Sequence, residues 1–211
     1  MEATQFNAAT VKNILFDFGG VFIDVDYQRT SQAFSQLGVT NFDELYAQHH
    51  ANPLFEQLEK GEVSPTAFFE FFRSATGLPL SNKAITTAWN AMLGSYRISS
   101  LQWLQTIRSQ YRIYLYSNTN AIHHASFTAS FEQQFPGKRF DDFFVKAYYS
   151  HTCGFRKPYP ASYTKLLQQE GLLAHETVFI DDTLVNIQGA AAAGLQTIHL
   201  QPQTWVEHCQ L

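Results

Sequence analysis

Ile14-Leu15-Phe16-Asp17-Phe18-Gly19-Gly20-Val21 is a short apolar run that ends in one carboxylate and then in two glycines. A run this short, bounded by glycine, predicts a buried strand. Asp17 then stands at the strand's carboxyl end, where open α/β sheets hold their ligands, and the glycines let the backbone bend sharply and approach an anion. A strand followed by a turn that Asp17 caps fits the same residues. The rest of the chain separates the two readings.

Outward from this run the pattern is first helical, over Gln28–Leu37, Phe42–His50, Pro53–Lys60, Pro65–Thr76 and Asn82–Leu93, with stops at Gly38, Gly61 and Gly77-Leu78-Pro79. Ser64-Pro65 supplies an N-cap and a helix-compatible first residue, and the phenylalanines that follow are assigned to packing. From Ile98 helix and strand alternate. Helices are predicted over Ile98–Gln110, Ala121–Phe135, Pro158–Glu170 and Val185–Ala193, and strands over Arg112–Tyr116, Val145–Tyr149, Thr177–Ile180 and Thr197–Leu200. Such alternation implies right-handed βαβ units and an α/β fold: a doubly wound parallel sheet with helices on both faces, to which the first strand belongs. The expected domains are an α/β core from residues 1–25 and 96–211, and an inserted helical bundle from 26–95.

The 211 residues are enough for one domain with such an insertion. A net charge of −4 with mixed signs gives no basic footprint for nucleic acid. Cys153 and Cys209 lie in no metal or redox spacing and form no disulfide framework, so a cytoplasmic protein is expected. Met1 to Lys12 is polar, and no apolar run reaches the length of a membrane span. Oligomeric state is not legible.

Three further polar clusters fall at or just beyond the carboxyl ends of predicted strands. Ser117-Asn118-Thr119-Asn120 follows Tyr114-Leu115-Tyr116, Asp181-Asp182 follows Val178-Phe179-Ile180, and Lys157-Pro158 lies a short loop beyond Tyr149. Singly, each has an ordinary structural explanation as a helix cap or a solvated charge. Together with Asp17 they share one edge of a parallel sheet, and carboxylates so gathered repel one another unless a cation lies between them.

These motifs, in this order, resemble the haloacid dehalogenase superfamily of hydrolases, in the subfamily with a helical C1 cap after the first strand of a Rossmann-like core. Phe16-Asp17-Phe18-Gly19-Gly20-Val21, Ser117-Asn118-Thr119-Asn120, Gly154-Phe155-Arg156-Lys157-Pro158 and Asp181-Asp182 are similar to the branch that contains alpha-D-glucose-1-phosphate phosphatases. The resemblance implies Asp17 as nucleophile, Ser117 and Lys157 as its catalytic partners, and an acidic pair at Asp181 and Asp182. It also implies a helical cap that closes over the site and supplies substrate contacts. That points to the Glu59–Ser64 turn, to Asp24 and Asp26, and to His49 and His50, each of which also has a structural explanation.

The chemistry follows from charge. A phosphate monoester dianion repels an anionic nucleophile, so the site has to neutralise charge while holding that nucleophile in line with phosphorus. Mg²⁺ with oxygen ligands does this, and Asp17, the Gly19 carbonyl and Asp182 are the expected ligands, with Asp181 acting directly or through water. Gly20, Ser117, Asn118 and Lys157 are expected around the phosphate of a small phosphorylated metabolite such as a hexose 1-phosphate. Attack by Asp17 gives an aspartyl-phosphate that water then hydrolyses.

One departure matters. Most phosphatases of the family carry a second aspartate two residues after the nucleophile, where this chain has Gly19. A general acid is thereby lost, and His123 is either its substitute or a surface histidine. The same departure admits a metal-free 2-haloacid dehalogenase, since halide needs no proton on leaving. It also admits a phosphate-binding protein without turnover.

Overall fold

The computed structural model describes residues 7–46, 53–209 and 211. The strands in chain order are β1 (Asn13–Phe16), β2 (Ile23–Val25), β3 (Leu93–Tyr96), β4 (Arg112–Ser117), β5 (Lys146–Tyr149), β6 (Thr177–Asp181) and β7 (Gln196–His199). The helices are α1 (Tyr27–Gln36), α2 (Phe42–Leu45), α3 (Pro53–Glu59), α4 (Pro65–Thr76) and α5 (Asn82–Trp89) before β3. After it come α6 (Ile98–Ile107), α7 (Ala121–Gln134), α8 (Ser150–Cys153), α9 (Pro160–Glu170) and α10 (Leu184–Ala192).

Five strands form one sheet in the order β5-β4-β1-β6-β7, each pair parallel. β1 is central, with Phe16 in register with Leu115 on one side and Ile180 on the other. Successive strand residues point to opposite faces, so β1 is buried on both. Ile14 and Phe16 pack with Leu101 and Leu104 of α6 and Phe127 and Phe131 of α7. Leu15 packs with Tyr163 and Leu166 of α9 and Ile187 and Ala190 of α10. Because β1, β4 and β6 run parallel and in register, their carboxyl ends, and the polar residues following them, open on the same edge.

The helices α1 to α5 surround a separate apolar cluster that includes Phe34, Phe55, Phe68, Phe72 and Trp89. Ser64 Oγ caps α4 by accepting from the Ala67 N–H, and Ser81 Oγ caps α5 by accepting from the Ala84 N–H. The fifth predicted helix overran its end. α5 stops at Trp89, a 3₁₀ turn spans Asn90–Met92, and the chain enters β3, which pairs antiparallel with β2. Two strands of three and four residues are too short to show an alternation, so pairing between distant segments makes this ribbon. The predicted helix at Phe42–His50 is described only as α2, and His49 and His50 lie outside the described residues.

Candidate active site

Lys157 is the centre of the polar edge. Its side chain is 1% exposed, and Nζ donates to Asp17 Oδ1 at 2.6 Å and to Asp181 Oδ2 at 2.7 Å. The rings of Tyr116 and Phe179 lie beneath the ammonium group, with centroids at 5.8 and 5.3 Å. Asn118 holds the lysine's backbone. Its side-chain amide donates to the Lys157 carbonyl and accepts from the Lys157 N–H, both at 3.0 Å. The side chain thereby clamps the segment that delivers the lysine, beside the phosphate-binding place expected of this residue's backbone.

Asp181 is fully buried, and both its oxygens accept: Oδ2 from Lys157 and from Asn186 Nδ2 at 3.0 Å, Oδ1 from the Thr183 N–H at 2.7 Å. Asp182 is more open and accepts from the Thr183 hydroxyl at 3.1 Å. One oxygen each of Asp17, Asp181 and Asp182 lie within 4.8 Å of one another. Burial, then the charge of Asp181, push Asp17 up to about 8, with Lys157 opposing, and the same two causes raise Asp182. Burial alone would lower Lys157, but Asp17 and Asp181 outweigh it and hold the ammonium above its ordinary value. One lysine against three carboxylates leaves negative charge uncompensated. The donor set is hard, all-oxygen and short of positive charge, which fits Mg²⁺.

The turn after β1 is pressed against this cluster. Gly20 has φ +69°, and a Cβ there would stand 1.9 Å from Asp182 Oδ2, so only glycine fits. Its N–H donates to the Ile23 carbonyl at 2.8 Å, so what Gly20 itself offers around the phosphate is space. Its carbonyl accepts from Arg97, which also pairs with Asp24 at 2.8 Å. Ser117 is buried with its hydroxyl 3.5 Å from the Asn118 carbonyl, a long contact that leaves the group free to reorient.

The haloacid dehalogenase-like hydrolase family matches residues 11–194. The chain belongs to that family. It is 32% identical over 193 residues, 92% of either chain, to a D-ribitol-5-phosphate phosphatase of Bacteroides thetaiotaomicron. It is 30% identical over 198 residues, 90% of either chain, to a sesquiterpene phosphatase of Aspergillus oryzae. A haloacid dehalogenase-family enzyme of Bacteroides thetaiotaomicron, solved in complex with magnesium and inorganic phosphate, superimposes with a TM-score of 0.84 at 32% identity. The match covers 94% of this chain and 98% of that one.

In this haloacid dehalogenase-like hydrolase a cavity of about 670 Å³ is lined by Asp17 and Lys157 and also by Tyr27, Tyr46, Glu56, Glu59, Arg156 and Tyr159. Arg156 Nε lies 2.8 Å from Glu59 Oε2, and Arg156 Nη1 lies 3.8 Å from Glu56 Oε2. Burial raises the Glu59 carboxyl above its ordinary value, and Arg156 opposes it. In the sequence Glu59 stands in a turn and Arg156 in a motif, and nothing local marks them as a pair. Asp24 and Asp26 have structural employment: Asp24 pairs with Arg97, and Asp26 caps α1 by accepting from the Gln28 N–H at 3.0 Å.

His123 is not a surface residue, although it lines the cavity with Asp17. It is buried, its ring stacks on Trp89 at 4.9 Å and 12°, and Nδ1 lies 2.7 Å from Asn90 Oδ1. Burial pushes it down to about 3, so the ring is neutral at physiological pH and carries no imidazolium proton to give. Among the described residues no helix is long and apolar enough to cross a membrane.

Proposed function

We propose that this protein is a Mg²⁺-dependent phosphatase that hydrolyses a small hydroxylated phosphomonoester, a sugar or polyol phosphate, through an aspartyl-phosphate on Asp17. The observation that carries the reading is Lys157 Nζ held between Asp17 and Asp181 beside the more open Asp182. In this reading residues 26–95 are the cap over a core of 1–25 and 96–211. The two thiols, Cys153 and Cys209, are free, in keeping with a cytoplasmic setting.

Asp17, Asp182 and the Gly19 carbonyl would hold the metal, which when bound neutralises phosphate charge. Asp181, with both oxygens already accepting, positions Lys157 rather than leading the ligand set. Lys157 offsets the remaining carboxylate charge and contacts the phosphate, and the Ser117 hydroxyl donates to it. An Asp17 oxygen bonds to phosphorus as the ester P–O bond breaks, and the leaving oxygen takes its proton from solvent to depart as the alcohol. Water then attacks the same phosphorus, breaking the bond to Asp17 and giving a proton back to solvent, so that inorganic phosphate leaves and the carboxylate is restored. The three gathered carboxylates count against a haloacid dehalogenase, whose anionic substrate they would repel without a metal.

The test is phosphate release from p-nitrophenyl phosphate and from a panel of pentitol phosphates, hexose 1-phosphates and hexose 6-phosphates. Turnover with Mg²⁺ that stops in excess chelator is expected. Absence of turnover on every monoester with Mg²⁺ present would overturn the reading.

A further inference from the structure

We infer that Glu59 and Arg156 form a charge-compensated wall that selects phosphomonoesters whose far end carries neutral hydroxyl groups and rejects those whose far end carries a second anion. The inference rests on the phosphatase reading and names the substrate class of that site.

Glu59 and Arg156 line the same cavity as Asp17 and Lys157. Their Oε2 and Nε atoms are 2.8 Å apart, yet both are buried without an aligned hydrogen-bond partner among the described residues. They meet as an ion pair, and the Arg156 and Glu59 side chains stay 13% and 18% exposed on the cavity. Polar side chains that converge on a cleft orient the ligand it takes.

A hydroxyl group suits both members, since it donates to the Glu59 carboxylate and accepts from the Arg156 guanidinium. A second carboxylate or phosphate only accepts. It would leave Glu59 unsatisfied and meet its charge at close range, and Glu56, 3.8 Å from Arg156, adds another acid to the same guanidinium. The wall thus offers one cation already answered by carboxylates, which favours a neutral polyhydroxyl chain.

The wall is held in fixed relation to the phosphate end. Arg156 immediately precedes Lys157, so one core segment delivers both groups. Glu59 is held from the cap side: two residues later Gly61 has φ +70°, and a Cβ there would lie 2.1 Å from the His151 carbonyl oxygen. Any side chain at 61 would lift the end of α3 away from the core and Glu59 with it.

The experiment measures binding in the Asp17→Asn background with Mg²⁺, by calorimetry, for D-ribitol 5-phosphate and for 3-phosphoglycerate, which carries a second anion. The parent background is expected to prefer the polyol ester by tenfold or more. Glu59→Gln leaves Arg156 answered only by the more distant Glu56, 3.8 Å away, and should move the preference toward 3-phosphoglycerate by at least tenfold. Arg156→Gln should weaken the polyol ester by at least tenfold without improving the other. Should either variant fail to fold, Arg156→Lys keeps the charge balance but loses the planar fork, so it should weaken the polyol ester and still reject the anionic one. A parent without preference, or folded variants whose preference does not move, would overturn the inference. Hydrolysis of p-nitrophenyl phosphate by the unsubstituted protein is read separately. Its absence fells the phosphatase reading, whereas its presence with an unmoved preference fells this inference alone.

Discussion

Lys157 Nζ lies 2.6 Å from Asp17 Oδ1, though 140 residues separate the two in the chain. The pair is buried and shares its lysine with Asp181, so either partner left alone is an uncompensated charge in a poorly solvated place. Lys157→Ala is therefore expected to lower stability by about 3–5 kcal/mol in metal-free protein. Added Mg²⁺ should return part of the loss by supplying a cation to the stranded carboxylates. Urea denaturation of both proteins with and without Mg²⁺ checks this, and equal stability without metal would refute it.

Asp17→Asn removes the nucleophile and keeps the side chain's shape. Turnover is expected to fall by at least about 10³-fold while the circular dichroism spectrum stays native. Near-normal activity in pure protein would exclude an aspartyl-phosphate.

Asp182→Ala should cost more activity than Ser117→Ala, because it removes a metal ligand while Ser117→Ala removes one phosphate hydrogen bond. The two variants should also differ in kind. Asp182→Ala is expected to raise the Mg²⁺ concentration needed for half-maximal rate, and Ser117→Ala to leave it near the parent value. A Mg²⁺ titration of kcat/KM for each variant separates these outcomes.

Gly19 and Gly20 answer differently to a side chain. At Gly19 φ lies outside the left-handed region and a Cβ would meet only Val25 Cγ2, at 3.2 Å, whereas at Gly20 it would strike Asp182. Gly20→Ala is expected to be unstable or inactive. Gly19→Asp should fold once Val25 gives by a few tenths of an ångström, restoring a general acid. Its benefit should fall on poor leaving groups, so kcat/KM for a hexose 6-phosphate should rise relative to a hexose 1-phosphate by about tenfold or more. A ratio that does not move would mean that the proton is already supplied by another route.

His123 links acid to unfolding. It titrates at about 3 in the folded protein against 6.5 unperturbed. Between those values the unfolded chain binds a proton that the folded chain does not. The stability is therefore fully present above about pH 6.5 and is lost as pH falls, by at most about 1.4 kcal/mol per pH unit. His123→Gln should lose less stability than the parent between pH 6.5 and 5. Urea midpoints at the two pH values, with slopes that fall in parallel in both proteins, would count against a buried neutral ring.

The sequence by itself determined the sheet and the address of the site. Ile14-Leu15-Phe16 is apolar on consecutive residues because β1 is buried on both faces, and that run, with the strand and helix alternation after Ile98, specifies a parallel sheet. Asp17, Ser117 and Asp181 each sit at the end of such a strand, and parallel strands in register bring those ends to one edge. Tertiary structure alone decided the rest. Asn118 holds the Lys157 backbone, His123 stacks on Trp89, β3 pairs with β2, and Arg156 meets Glu59 in the cavity wall. Each of these joins residues far apart in the chain. Local pattern records which way a residue faces within its own strand or helix, and carries no mark of the partner that folding sets opposite it.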